Sequence, residues 1–231
     1  MLRLPSGPRR RWTADLAYRF RQQVMLKTVG ISAFMWIFFV AYFHLLRYPV
    51  HPATVMPLTA LDRQIPFQPQ ALVAYVSLWL YVGIAPGLLV TLREIIAYGL
   101  GISALCAGGL ACFYAWPTMV PALGLDVSGH AGLALLQSVD ATGNACPSLH
   151  VGSAIFTALW LGHLLRQVRV PRVLRILNGV WFAAITYSTL ATKQHVVLDA
   201  LAGALLGIAI ALPSIKAATP PHKSPLRHSS S

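Results

Sequence analysis

An all-α polytopic membrane protein, a bundle of six transmembrane helices with both termini in the cytoplasm, is the fold class this sequence predicts. Three observations carry the expectation. Only 10% of the 231 residues are charged and 56% are hydrophobic, against roughly a quarter charged in an ordinary soluble domain. Six apolar stretches approach the roughly 20 residues that cross about 30 Å of hydrocarbon. The Lys and Arg residues gather in alternate connections between those stretches, which sets an orientation.

The six stretches lie near residues 28–46, 71–92, 95–116, 151–165, 173–190 and 196–212. The fourth is short and borrows residues from its flanks. Helices are required because lipid satisfies no free backbone group, and no segment shows the alternation of a barrel strand. Short connections make this one membrane domain, residues 28–213. Before it, residues 1–27 form a basic, partly amphipathic leader carrying Trp12, Leu16, Tyr18 and Phe20, suited to the inner headgroup surface. After it, residues 214–231 are rich in Pro, Ser, Lys and His and read as a disordered cytoplasmic tail. Two outer connections are long. Residues 47–70 are proline-rich and contain Leu61-Asp62-Arg63-Gln64-Ile65-Pro66-Phe67. Residues 117–150 exceed a simple connector, and a short interfacial helix is expected within them at 131–139.

Placing the termini inside puts 15 of the 18 Lys and Arg residues on the cytoplasmic side and leaves Arg47, Arg63 and Lys193 outside. The same distribution explains the net charge of +12. These charges flank membrane helices, so anionic headgroups rather than nucleic acid are their partner. The first apolar stretch is too long for a signal h-region, and no small-x-small site follows it. The three cysteines have neither a disulfide framework nor metal-ligand spacing.

Two short segments carry chemistry. One is Asn144-Ala145-Cys146-Pro147-Ser148-Leu149-His150, at the outer mouth of the fourth helix. The other runs from Ser188 to Asp199 and includes Thr189, Lys193 and His195. His195 and Asp199 are four apart and share a face if helical. A carboxylate just inside an apolar helix is costly unless paired. Accepting a hydrogen bond from one imidazole N–H, it fixes the tautomer and leaves the other nitrogen as a nucleophile. The Pro-Ser lead into a helix presents a hydroxyl and free N–H groups at the positive end of the dipole, an anion site. Ser148, Leu149 and Lys193 are the expected phosphate ligands. His150, at the same level, is placed to protonate a leaving oxygen. Either motif alone recurs by chance or as a satisfied polar pair. The arginine-derived topology puts both on one membrane face, and together they fit phosphoryl transfer through a covalent intermediate.

Pro147-Ser148-Leu149-His150 followed by Ser188, His195 and Asp199 resembles the second and third motifs of the type 2 phosphatidic acid phosphatase (PAP2)/haloperoxidase superfamily, which read Pro-Ser-Gly-His and Ser-Arg-x5-His-x3-Asp. The resemblance implies a six-helix PAP2 core and a membrane phosphatase or phosphotransferase acting on a lipid phosphate or pyrophosphate. It implies His195 as nucleophile, Asp199 as its orienting partner, His150 as acid and Ser148 as phosphate ligand, with no metal or other cofactor. The site would face the extracytoplasmic side of the cytoplasmic membrane.

The sequence departs from the family pattern. Leu149 replaces Gly, Thr189 replaces Arg, and Ala122 stands where the first motif, Lys-x6-Arg-Pro, should supply an arginine. Lys193 is the expected substitute cation; Arg63 is a second candidate, for which a headgroup-facing role is the favoured reading. The Ser-Leu-His and Lys-Gln-His variants, with the earlier Leu-Asp-Arg-x-Ile-Pro-Phe, resemble the branch containing inositol phosphorylceramide synthases, which pass a phospho-headgroup to an alcohol. The missing cations keep open a catalytically impaired binding or scaffold protein. Elsewhere, Glu94 is expected to pair with Arg93, His44 and His163 to snorkel near helix ends, and Gly203-x3-Gly207 to admit close helix approach.

Overall fold

The computed structural model describes residues 8–123 and 143–219. The leader is helical, α1 (Pro8–Arg21), and joins α2 (Val24–Arg47) through Gln23 in the left-handed region, φ 53°. The loop after α2 holds β1 (Thr54–Val55) and α3 (Ala60–Gln64). A 3₁₀ turn (Pro69–Ala71) then leads into α4 (Leu72–Val76) and α5 (Leu78–Gly87). There follow α6 (Leu92–Ala115), β2 (Thr118–Met119), α7 (Leu149–Gln167), α8 (Arg172–Ala191) and α9 (Val197–Ala218). The chain is an integral membrane protein. Five helical units among the described residues are long and apolar enough to cross a bilayer: α2, the run Pro69–Gly87, α6, α8 and α9.

The fourth expected span is α7, extended from 151–165 to Leu149–Gln167. His150, Ser153, Thr157, His163 and Arg166 dilute its apolarity, and it is not among those five. Those polar groups are tolerated because α7 is the centre of the bundle, packed by α5, α6, α8 and α9. Val151, Phe156, Trp160 and Leu164 on it are fully buried. Trp160 Nε1 donates to Ser214 Oγ on α9 (2.9 Å), and Asn178 on α8 donates to the Ala158 carbonyl (2.9 Å). The tightest contact is with α9. A Cβ on Gly203 would overlap the Ser148 carbonyl, and one on Gly207 would lie 2.5 Å from the Gly152 carbonyl. The two glycines admit close approach, as their spacing suggested.

Boundaries move where caps act. The expected second span stops at Gly87 rather than 92, and α6 begins at Leu92 rather than 95. Thr91 and Glu94 form a capping box that starts α6 there. Glu94 spends its carboxylate on the Val90 and Thr91 amides. Its basic neighbour is Arg19 at 3.9 Å, not Arg93, which donates to the Ala217 carbonyl. α9 continues past residue 212 to Ala218. The helix expected at 131–139 and the tail beyond Thr219 lie outside the described residues.

One end of the bundle collects basic groups. Arg19 donates to the Leu88 carbonyl and to Gln167, and Lys27 donates to the carbonyls of Arg19 and Gly87. Trp12 and Leu16 of α1 pack on the main core, so the leader is docked on this end. At the opposite end β1 pairs in parallel with β2. Beside that pair, Met56, Val120, Ala145 and Val196 form a small second core. His150, His195 and Asp199 come together at this end.

Candidate active site

Ser148 is the N-cap of α7. Its Oγ accepts from Val151 N–H (3.2 Å), and its own N–H donates to the Asp199 carbonyl (2.9 Å). The residue is fully buried, and its hydroxyl oxygen is engaged in starting the helix. Leu149 turns its side chain onto Gly109 of α6, so only its main chain is left for an anion. Its N–H and that of His150 precede the helix's own ladder at the positive end of the dipole. The His150 ring stacks on Tyr75 of α4 at 4.0 Å between centroids, and its Nε2 is buried with no hydrogen-bond partner.

The second segment is a tight turn between α8 and α9. Thr192 Oγ1 donates to the Ser188 carbonyl, and the Gln194 and His195 amides share the Thr189 carbonyl. Lys193 takes a left-handed conformation, φ 59°. His195 precedes the N-cap Val196, so it does not lie on α9, and the shared helical face expected for His195 and Asp199 does not exist. The turn nevertheless folds the ring back, and His195 Nδ1 lies 3.1 Å from Asp199 Oδ2. Asp199 is fully buried, and its Oδ1 has no partner. That pairing leaves Nε2 as the ring nitrogen free of the carboxylate. The His150 and His195 ring centroids are 6.4 Å apart, which brings the two segments into one site.

Lys193 is placed differently from expectation. Its ammonium donates to the carbonyls of Asp62 (2.9 Å) and Ile65, fastening the turn to the loop between α2 and α4. Burial pushes the ammonium below the ordinary lysine range, and the nearby Asp62 carboxylate draws it partly back. Arg63 is exposed, and Arg47 lies over the Phe43 ring at 5.8 Å. Cys146 is half-buried beside the site. Burial first, then Asp199 and Cys112, push its thiol up to about 11. Among the described residues no group of three or more His, Cys, Asp or Glu is arranged to hold a metal ion.

Asp62 has a role in this assembly that its motif alone did not reveal. Thr59 and Asp62 form a capping box on α3, and the second carboxylate oxygen accepts from Val197 N–H (2.9 Å) at the start of α9. The Thr-x-x-Asp spacing was a legible signal for the first bond. Nothing local announces the second, because the partners are 135 residues apart.

A cavity of about 700 Å³ opens onto both histidines and Ser153. Its walls come from α2, α4, α5, α6 and α7 and are mainly apolar. Along α2 it reaches from Leu26 to Phe43, about 25 Å at 1.5 Å per residue. No curated protein and no solved structure matches the chain. Residues 95–220 match the model of the PAP2 superfamily. With more than half of the chain covered, including both motif segments, the protein belongs to the PAP2 superfamily and is a phosphatase-type membrane protein.

Proposed function

We propose that the protein is a lipid phosphatase or phosphotransferase that works without a metal, at the extracytoplasmic face, through a phosphohistidine on His195. In this reading α7 also crosses the membrane, giving six spans with both termini inside. The gathering of Arg19, Lys27 and Arg93 at the end away from His195 supports that orientation. The observation that carries the reading is the His195–Asp199 pair, 3.1 Å apart, beside His150 at the mouth of an apolar cavity as deep as most of a bilayer.

Asp199 holds the His195 proton on Nδ1, so the Nε2 lone pair attacks phosphorus. The bond from phosphorus to the leaving oxygen breaks, and His150 gives that oxygen a proton. In the second half, water or a lipid alcohol attacks the phosphohistidine while His150 takes its proton. The P–N bond breaks and His195 is restored. The first-turn N–H groups of α7 meet the phosphoryl charge. The cavity takes the hydrocarbon of a lipid phosphate or pyrophosphate, whose headgroup then lies at the two histidines.

The shortage of permanent cations favours a second reading. With Lys193 fastened to carbonyls and Arg63 exposed, a catalytically impaired protein that binds lipid phosphates is the alternative. One experiment separates the two. Purified protein in detergent is given lipid substrates labelled at phosphorus and quenched. The proposal expects an acid-labile, base-stable label on His195 that is absent in His195→Ala, whose turnover should fall by at least about 10³-fold. In His150→Ala the label should form only from substrates with good leaving groups. Label on Ser148, or normal turnover by His195→Ala, overturns the role assignment. Binding without label or turnover favours the second reading.

A further inference from the structure

The segment from Asp62 to Gln68 is a strap across the turn that carries His195. Gln68 N–H donates to the Ala191 carbonyl (2.9 Å), and Gln68 Nε2 to the Tyr187 hydroxyl (2.6 Å). Lys193 donates to the Asp62 and Ile65 carbonyls, and Val197 N–H donates to Asp62 Oδ1 (2.9 Å). The turn is thus held on both sides of His195. The bond to Val197 is the most consequential. α9 starts at a valine N-cap with no side-chain hydrogen bond to offer, so its first amide would be an orphan donor. Asp62 satisfies it from elsewhere in the chain and sets a negative charge at the positive end of α9.

The carboxylate is specified on its other side as well. Asp62 is 6% exposed, and Oδ2 accepts from Thr59 N–H (2.8 Å) and Thr59 Oγ1 (2.7 Å). An acceptor with three donors in two directions matches a buried ionised carboxylate and neither an amide nor an alcohol. Val197 lies between His195 and Asp199 in the chain, so displacing its amide moves nucleophile and orienting partner relative to each other. Lys193, in its left-handed conformation, needs the surroundings to hold it.

We propose that Asp62 is a positioning residue for the reaction: it caps α9 across the outer loop and thereby holds His195 and Asp199 in register. As a role in catalysis this rests on the phosphohistidine reading above. As a statement about the His195 tautomer it stands alone. The bond it requires is visible without turnover, since His195 must carry its proton on Nδ1 to donate to Asp199.

The test uses the full chain in detergent, in wild type, Asp62→Ala, Asp62→Asn and Thr59→Ala. Thr59→Ala removes a hydroxyl from the α3 cap and leaves the Asp62–Val197 bond. Two readouts are taken: steady-state kinetics with a lipid phosphate, and ¹⁵N-histidine NMR at alkaline pH, with the His195 signals assigned by substitution. Wild type should show the Nδ1–H tautomer of His195. Asp62→Ala should show a mixture of tautomers and a kcat lower by ten- to about a hundredfold, with KM within about threefold, as expected for a nucleophile displaced by about 1 Å. Asp62→Asn, which keeps one acceptor, should fall between, and Thr59→Ala should stay within about threefold of wild type. If Asp62→Ala does not fold, Asp62→Asn decides by the same criteria. An unchanged Nδ1–H tautomer overturns the proposal even if kcat drops, because the loss would then be structural, and so does a wild-type kcat. If wild type turns over no lipid phosphate, the functional reading fails while the tautomer comparison still decides the positioning claim.

Discussion

Helices α2 and α7 show how two helices of one membrane protein are specified by opposite rules. α2 runs 24 residues without an acidic group, and none of its most apolar stretch is buried inside the protein. Trp36, Ile37 and Val40 face outward, and Gly30 would meet nothing within 4 Å if it carried a Cβ. α7 is shorter and studded with His150, Ser153, Thr157 and His163, yet ten of its residues are buried. Its carbonyls lie where Cβ atoms on Gly203 and Gly207 would have to be. For α2 apolarity is the requirement, since lipid is the neighbour. For α7 fit is the requirement, since protein is the neighbour, and polar groups are allowed where partners await them.

The largest effect that would break this contrast comes from one methyl group. Gly203→Ala should destabilise the protein by at least about 3 kcal/mol, because the new Cβ meets backbone that cannot rotate away. Gly30→Ala should be neutral or up to about 1 kcal/mol stabilising, since an unhindered helical Gly gives way to the best helix former. Thermal unfolding in a single detergent measures both. Equal tolerance at the two sites would mean that α7 and α9 are not packed this closely.

A smaller effect sharpens the comparison at the end that holds His195. Lys193→Ala removes a charged donor from two carbonyls, an interaction worth roughly 1.5–3 kcal/mol. The melting temperature and kcat should both fall, kcat by about tenfold, while KM for a lipid phosphate stays near wild type. A rise in KM with kcat preserved would show the ammonium reaching substrate, the role its sequence position suggested.

The smallest effect concerns reactivity. In a Cys106→Ala/Cys112→Ala background, a membrane-impermeant maleimide should label Cys146 from outside intact cells, slowly at neutral pH. Because the thiol is pushed up to about 11, its thiolate fraction, and so the labelling rate, should rise roughly tenfold per pH unit from 7 to 9. Labelling only after permeabilisation would reverse the orientation. A rate that levels off by pH 9 would mean that the thiol is not shielded.

Much of the site was legible because its signals are short-range. Ser148, His150, His195 and Asp199 stand in two segments of a dozen residues or fewer, and the arginine pattern alone suggested that these share a face. The i to i+4 spacing of His195 and Asp199 led to a true pair for a wrong reason, since His195 sits before the helix and reaches back. Lys193 reads in sequence as a cation available four residues from a motif Arg position, whereas the structure places its ammonium on two carbonyls from the strap. Glu94 was paired with its neighbour in sequence, but helix capping and Arg19 claimed it.

By itself the sequence determined that this chain lives in lipid, where its helices run within a few residues, and which histidines and aspartate are the candidates for chemistry. Hydropathy, charge placement and motif spacing are properties of neighbouring residues, and neighbours are fixed when the chain is made. Only the tertiary structure decided that α7 is the innermost helix, that Lys193 is a tether, and that a carboxylate from the loop between α2 and α4 caps α9. Each of these depends on which donor meets which acceptor across 50 to 135 residues of chain. A buried polar group takes whatever partner the packing brings within reach, because leaving it unpaired costs more than any local preference.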